Sequence, residues 1–402
     1  MRLVERHIIK RADRRFEVID RAAFASKNLF NKALYTTRQA FFQDGAFPSY
    51  PTFYHAMKGE PEYAALPRKV AQWVLKQVCA AWDSYRQARA AHDATPSAFL
   101  GRPHLPRYKH KQQGRNLLVY TAQALSFPAL RNHMVRPSML GITVRTRQQN
   151  IQQVRIIPRI GFYVVEVVYE RAPVPAAVNP SLYAGVDIGL NNLAALTSNK
   201  AGFVPRLVNG RPVKSINQFY NKRRAELQNW LGTVGTSRRL ERITTKRTRR
   251  IDHYLHTASR RIIGLLVAQG IGTLVIGKNP LWKQEAHMGR RNNQNFVSVP
   301  HARFIEMLTY KAVLVGIQVQ ITEESYTSRA SFLDADPLPV YGSAEAPAFS
   351  GRRVKRGLYR AADGRHINAD VNGSYNTIRK VAPEAFAQGS RGCVVHPIRL
   401  AV

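Results

Sequence analysis

The chain has 402 residues, and its 61 Lys and Arg stand against 25 Asp and Glu, a formal charge of +36. Such an excess is far beyond what solubility requires and repels itself, so a polyanionic partner is implied: nucleic acid, with a charge per ~1.7 Å of duplex, or less aptly an anionic membrane surface. The cysteines Cys79 and Cys393 cannot build a disulfide framework or a Cys-based zinc site, and no apolar stretch reaches the ~20 residues of a membrane span, so a soluble, cytosolic chain is expected.

From the start of the chain, a short strand over residues 3–9 leads into apolar residues at helical spacing, Phe16, Ile19, Phe24, Leu29, Phe30, Leu34 and Phe41, which predict one long helix or two between Arg14 and Phe42. A Pro/Tyr-rich connection separates this from a second helical block, Lys69 to His92, with Val70, Trp73, Val74, Val78, Trp82 and Tyr85 on one side. From Pro103 to Val178 short Val/Ile/Tyr runs divided by Pro and Gly predict a β-rich barrel or sheet into which the helical lobe is inserted. The rhythm changes again near Leu182. Strands over 182–188, 193–197 and 203–207 precede a long basic helical segment, 215–268. Then come a strand over 273–276, a helix over 300–315, a strand over 318–322 and a final helix opening near Asp370. A three-strand meander followed by alternating strands and helices is the order of an RNase H-like fold, whose sheet mixes antiparallel and parallel pairs.

Two motifs carry chemistry. In Tyr183-Ala-Gly-Val-Asp187-Ile-Gly an acid lies inside an apolar strand, flanked by Gly185 and Gly189, costly to bury unless a cation or turn hydrogen bonds compensate it. In Asn368-Ala-Asp370-Val-Asn372-Gly-Ser-Tyr-Asn376 a second acid opens a helix, either as an N-cap or as a metal ligand, and Asn372 and Asn376 share one helix face.

These runs, with Val275-Ile-Gly-Lys-Asn279, Trp282-Lys-Gln284, Asn292-Asn293-Gln294-Asn295-Phe296 and Glu324-Ser-Tyr-Thr-Ser328, resemble the TnpB (OrfB-type) proteins of bacterial insertion sequences, relatives of the type V CRISPR effectors. The resemblance covers roughly residues 180 to 385. Upstream, Asn28-Leu29-Phe30-Asn31 and Pro106-Arg107-Tyr108-Lys109 look like the family's recognition and wedge segments. It implies a mixed α/β multidomain protein: a β-barrel wedge (1–13 and 103–180), an inserted helical recognition domain (14–102), a RuvC-like nuclease domain (181–326 and 367–385, with the basic insertion 215–269), a target-nucleic-acid-binding insertion (327–366) and a tail (386–402). It further implies an RNA-guided DNA endonuclease cutting beside a short flanking motif, with two Mg²⁺ ions, a guide RNA and target DNA as partners, in the bacterial cytoplasm at the nucleoid. Asp187 and Asp370 are then the first and third catalytic carboxylates.

Two departures stand out. Where most of the family ends a strand in Glu, this chain has Gly277. Some members resemble it and use a displaced glutamate. Of the 14 acids from Ser181 onward, Glu324 is chosen as the second carboxylate because it opens the Glu-Ser-Tyr-Thr-Ser run; Glu285 is the alternative, and a charge-balancing role for Glu323 and Glu324 the bland reading. Strand alternation places only one of that pair toward the metals. The segment from Thr327 to Asn368 lacks the family's zinc cysteines, so no zinc is expected: Phe332, Leu333, Leu338, Val340, Tyr341, Phe349, Leu358 and Tyr359 are read as its core, and Arg352, Arg353, Lys355, Arg356 and Arg360 as facing nucleic acid.

The basic helix from Arg238 to Arg261 carries nine Lys and Arg against Glu241 and Asp252. Arg239, Arg242, Lys246, Arg247, Arg249 and Arg250 are read as phosphate contacts, joined by Lys283 and Gln284, and the polar loop His287 to Ser298 as a lid. Two alternatives stand: a nuclease-inactive RNA-guided DNA binder, which Gly277 motivates, and a basic RNA-binding scaffold with no guided targeting.

Overall fold

The structure is a computed structural model, and it describes the chain apart from residues 46, 233–234, 280–288, 341–346, 388 and 391. The chain forms two units, residues 1–171 and 172–402.

In the first, β1 (Arg2–Lys10) precedes the helices α1 (Phe16–Asp44), α2 (Tyr50–Met57), α3 (Pro61–Ala64) and α4 (Arg68–Ala94). Then come β2 (Leu118–Thr121), α5 (Phe127–Arg131), β3 (Met134–Val135), β4 (Val144–Arg145), β5 (Ile151–Arg159) and β6 (Phe162–Glu170). The apolar stripe between Phe16 and Phe41 runs as one helix, which Gly45 ends in the left-handed conformation (φ 66°), donating its N–H to the Phe41 carbonyl. Ile19, Leu34, Val74 and Trp82 are buried, and the Trp82 indole N–H donates to Thr37 Oγ1 at 3.0 Å, so the one polar atom of that ring is satisfied inside the helical core. The sheet is antiparallel in the order β1-β6-β5-β2, with β3 and β4 as a separate ribbon. Its edges, β1 and β2, stay apart, so among the described residues the expected barrel is an open sheet. β2, β3 and β4, of two to four residues, are too short to close it.

The second unit begins with β7 (Asn179–Asp187), β8 (Asn192–Ser198) and β9 (Arg206–Asn209), then α6 (Arg211–Leu231) and α7 (Arg238–Ala268). Next are β10 (Ile271–Gly277), α8 (Arg290–Ser298), α9 (His301–Leu314) and β11 (Gln318–Thr322). The chain ends with β12 (Arg352–Lys355), β13 (Leu358–Arg360), β14 (His366–Asn368), α10 (Ala369–Val381) and β15 (Ile398–Leu400). The main sheet runs β11-β10-β7-β8-β9-β15, antiparallel through β7, β8 and β9, while β10 and β11 lie parallel to β7. On one face Ile251, Leu255, Ile262 and Leu266 of α7 and Phe304 and Leu308 of α9 pack with Ala184, Val186, Leu274 and Ile276 of the strands. α10 packs against β7 and β8.

Several expectations need correcting. The third strand starts at Arg206 because Pro205 has no N–H for a ladder. The helical segment 215–268 is two helices, interrupted after Leu231 by Gly232 at φ 54°, with Ser237 capping the second through the Leu240 N–H. The supposed lid loop is helical from Arg290 to Ser298, and His287 lies outside the described residues. The expected tail contributes β15, parallel to β9 at the sheet edge.

Candidate active site

Strand register builds the site. Ile276 lies opposite Val186 in the parallel β7–β10 pair, so Asp187 and Gly277 end neighbouring strands. Since Ala184 and Val186 face the α7–α9 core, alternation turns Gly185 and Asp187 toward α10. A Cβ at Gly185 would come within 2.2 Å of the Ser374 carbonyl, so glycine is what lets α10 lie against the strand. The Ser374 hydroxyl donates to the Gly185 carbonyl at 2.9 Å, fixing that contact. A Cβ at Gly373 would sit 3.2 Å from Asp187 Oδ2, so the helix passes directly over the carboxylate.

Asp370 is not the helix cap. Asn368 is, its side chain accepting from the N–H groups of Asp370 (3.0 Å) and Val371 (3.2 Å). The Asp370 carboxylate is thereby left to accept from Asn192 Nδ2 at 2.7 Å and to face Arg353 at 3.6 Å.

Glu324 fills the space over Gly277: a Cβ there would lie 2.5 Å from its Cγ and from Oε1. β11 stops at Thr322, so alternation no longer governs the next residues. Glu323 turns away to an ion pair with Lys380 and accepts the Ser325 N–H at 2.8 Å. The Glu324 N–H is held by Asn279 Oδ1 at 2.8 Å, and its carbonyl accepts from Thr327 Oγ1 at 2.9 Å. Tyr326, at φ 64°, completes the bend. Asn372 and Asn376 anchor the backbone between Thr327 and Phe332. The first accepts the Phe332 N–H (2.9 Å) and donates to the Ala330 carbonyl (2.8 Å); the second donates to the carbonyls of Thr327 (3.0 Å) and Ala330 (2.8 Å). The spacing of the two amides is visible in the sequence; their service to the Glu324 turn is not.

Burial holds Asp187 well above the usual carboxylate range, and the charges of Glu324 and Asp370 add to this while Arg353 opposes it. Burial also lifts Glu324, to about 7. Its Oε1 is buried with no hydrogen-bond partner. Among the described residues no three His, Cys, Asp or Glu side chains form a ready-made metal cage, so these carboxylates are neighbours through their fields rather than a closed ligand shell.

Of the basic residues, Arg239, Arg242, Lys246, Arg249 and Arg250 are exposed on α7. Arg247 instead turns inward, donating to Asn217 Oδ1 (2.7 Å) and the Ser298 carbonyl (3.0 Å) over the Tyr220 ring, so it braces helices rather than offering a free charge. Arg352, Arg353, Lys355, Arg356 and Arg360 are exposed on β12, β13 and the turn between them. Beneath them Phe332, Leu333, Tyr359 and Ile367 pack with Val371 and Tyr375 of α10, Phe332 stacking on Tyr375 at 4.3 Å. Val340 is exposed rather than part of that core, because the core is closed by α10 instead. Lys283, Gln284, Glu285 and Tyr341 lie outside the described residues.

Residues 163–282 match the family model described as OrfB_IS605, probable transposase, and residues 301–377 match that described as Cas12f1-like, TNB domain. A solved structure titled as a Cas12f1–sgRNA–target DNA complex is similar over 90% of this chain and 82% of that one, with a TM-score of 0.52 at 13% identity. Another, titled as the mini-RNA-guided endonuclease CRISPR-Cas_phi3, aligns over 99% and 94%, with a TM-score of 0.46 at 10% identity. No curated protein matches the chain. The fold is thus a mixed α/β multidomain one resembling the Cas12 effectors. Within that class the two family models are consistent with a TnpB-like protein.

Proposed function

We propose that the chain is an RNA-guided DNA endonuclease of the TnpB type, whose second unit is a RuvC-like, RNase H-fold nuclease. The observation that carries the reading is Glu324, which occupies the space over Gly277 beside the half-buried Asp187 with one oxygen unpartnered. An acid so placed is destabilising unless a cation completes it. Asp187, Glu324 and Asp370 would hold two Mg²⁺ ions, which when bound supply an activated water and neutralise the charge that develops on the phosphate. The residues around them do the positioning: Asn192 orients the Asp370 carboxylate, Asn279 fixes the backbone of Glu324, and α10, seated on Gly185, covers one side of Asp187.

In this reading residues 1–13 and 103–171 form the wedge, 14–102 the recognition domain, and together they hold a structured guide RNA and its heteroduplex with target DNA. Guide pairing reads sequence while the protein reads shape and a short flanking motif. The outer face of α7 and the β12–β13 arginines would meet phosphate, with Arg353 nearest Asp370. Residues 327–366 would be a target-binding insertion built without zinc. No described helix is long and apolar enough to cross a membrane. The proposed place in the bacterial cytoplasm at the nucleoid follows from the TnpB reading itself.

The test is to purify the protein with its RNA, sequence that RNA, and incubate the complex with matching DNA and Mg²⁺. Guide-dependent, Mg²⁺-dependent cleavage is expected. Bound RNA without cleavage would favour an inactive guided binder, and absence of RNA would remove the guided reading altogether.

A further inference from the structure

On the outer side of α1, Tyr35 and Phe42 stand seven residues apart, two helical turns, and therefore one above the other. They are 53% and 59% exposed, unusual for large rings on a helix whose other face is a closed core. Arg38 lies between them, its guanidinium 5.7 Å from the Phe42 ring centre and 5.1 Å from that of Tyr108, itself 44% exposed. Two open rings thus flank one cation, with a third, Tyr35, a turn away on the same face of α1, within the first unit.

The arrangement is held from beneath. Asn31 donates to the Lys109 carbonyl at 2.8 Å and accepts the Lys109 N–H at 2.9 Å, while Lys27 Nζ donates to the Lys111 carbonyl at 2.6 Å. Those bonds lash the segment bearing Tyr108 to α1 just beyond the ring. The charge around it has one sign: between residues 101 and 150 there are nine Lys and Arg and no Asp or Glu. A peptide would need to be strongly acidic to settle there. A planar group carried on a phosphate chain matches both features, since rings stack on any base face and the surrounding cations take the backbone.

We infer that Tyr35, Arg38, Phe42 and Tyr108 form a stacking platform for unpaired bases of an RNA strand. This rests on the guided reading above, in which the RNA is carried throughout and a structured guide offers unpaired bases, whereas a DNA strand is displaced and unpaired only once target is bound. Stacking of this kind is tolerant of base identity, so the platform fixes where the RNA lies rather than which sequence it carries.

The test uses the full-length protein with the RNA it carries. Ultraviolet cross-linking followed by mass spectrometry should map RNA nucleotides to Tyr35, Phe42 or Tyr108. In a filter-binding assay on protein stripped of RNA at high salt, the probe is a labelled, unstructured 12-nucleotide uridine-rich RNA beside an abasic strand of equal length. Tyr35→Ala with Tyr108→Ala should weaken binding of the RNA about ten-fold per lost stack, leave the abasic strand and the salt dependence unchanged, and be rescued by Tyr35→Phe with Tyr108→Phe. Equal losses for both strands, or cross-links at these rings to DNA or protein only, would overturn the platform. RNA that co-purifies but cross-links elsewhere would also sink it while sparing the guided reading; no co-purifying RNA would sink the guided reading itself.

Discussion

Two pairs of acids in the second unit are built in opposite ways. Asp336 is buried and fully served: its carboxylate accepts the N–H groups of Ser331 (2.7 Å) and Ser350 (3.2 Å) and the Ser350 hydroxyl, while Asp334 accepts the Ala362 N–H at 2.9 Å. These acids tie together three segments of the small cysteine-free module. Asp187 and Glu324, at the ends of the strands, are half-buried side chains whose desolvation favours their neutral forms, and Glu324 keeps one enclosed oxygen without a partner. Satisfied carboxylates hold a fold together; starved ones are held in place by it for something else. Both pairs stand where the sequence departs from the pattern it resembles, in the cysteine-free module and at Gly277.

Removing either outer carboxylate should separate the two roles most sharply. Asp187→Ala and Asp370→Ala should abolish cleavage in a Mg²⁺ assay and leave guided DNA binding, read by gel shift, unchanged. Gly277→Ala should come next. The added methyl meets the flexible arm of Glu324 rather than backbone, so the melting temperature should barely move, but the carboxylate is pushed off its place and cleavage should fall about ten-fold or more, on the order expected for a lost positioning contact.

Stability should reverse the ranking. Asp336→Ala strips acceptors from buried N–H groups and should cost about 1–3 kcal/mol in denaturant unfolding. Glu324→Gln should cost nothing or stabilise, and pH shows why. Glu324 is raised from 4.5 to about 7 in the folded chain, so the folded state binds the proton more tightly than the unfolded one. Its penalty is absent below pH 4.5, grows as pH rises, and is complete above about 7. Without divalent ions, the wild type should therefore lose melting temperature between about pH 5 and 8 relative to Glu324→Gln. A parallel course for the two proteins would contradict the burial argument. The smallest effect concerns zinc: elemental analysis of the purified protein should find none in stoichiometric amount, and its presence would assign ligands such as His366 and Asp363 to the module.

How far the sequence can be read obeys the same physics. Asp187 and Asp370 are legible because an acid amid apolar or Asn-rich residues breaks a local pattern. The helices α1, α4, α9 and α10 and strands β7, β8, β10 and β11 are legible from period alone. Glu324 against Glu323 is not settled by alternation, because the strand ends one residue earlier and the Lys380 pair and the Tyr326 bend, both tertiary, turn them apart. Arg247 looks like its neighbours on α7, and only Asn217 and Ser298, distant in sequence, draw it inward. The strand β15 carries too few residues to announce itself without β9 beside it.

The central claim is that Glu324 supplies the carboxylate that Gly277 lacks. The direct measurement is Mg²⁺-dependent cleavage by the guided complex of Glu324→Ala beside Glu323→Ala, with DNA binding measured on the same preparations. The account predicts that Glu324→Ala binds target DNA normally and does not cut, while Glu323→Ala keeps most of its activity. Full cleavage by Glu324→Ala would contradict it, and loss of cleavage in Glu285→Ala instead would move the second carboxylate to that residue.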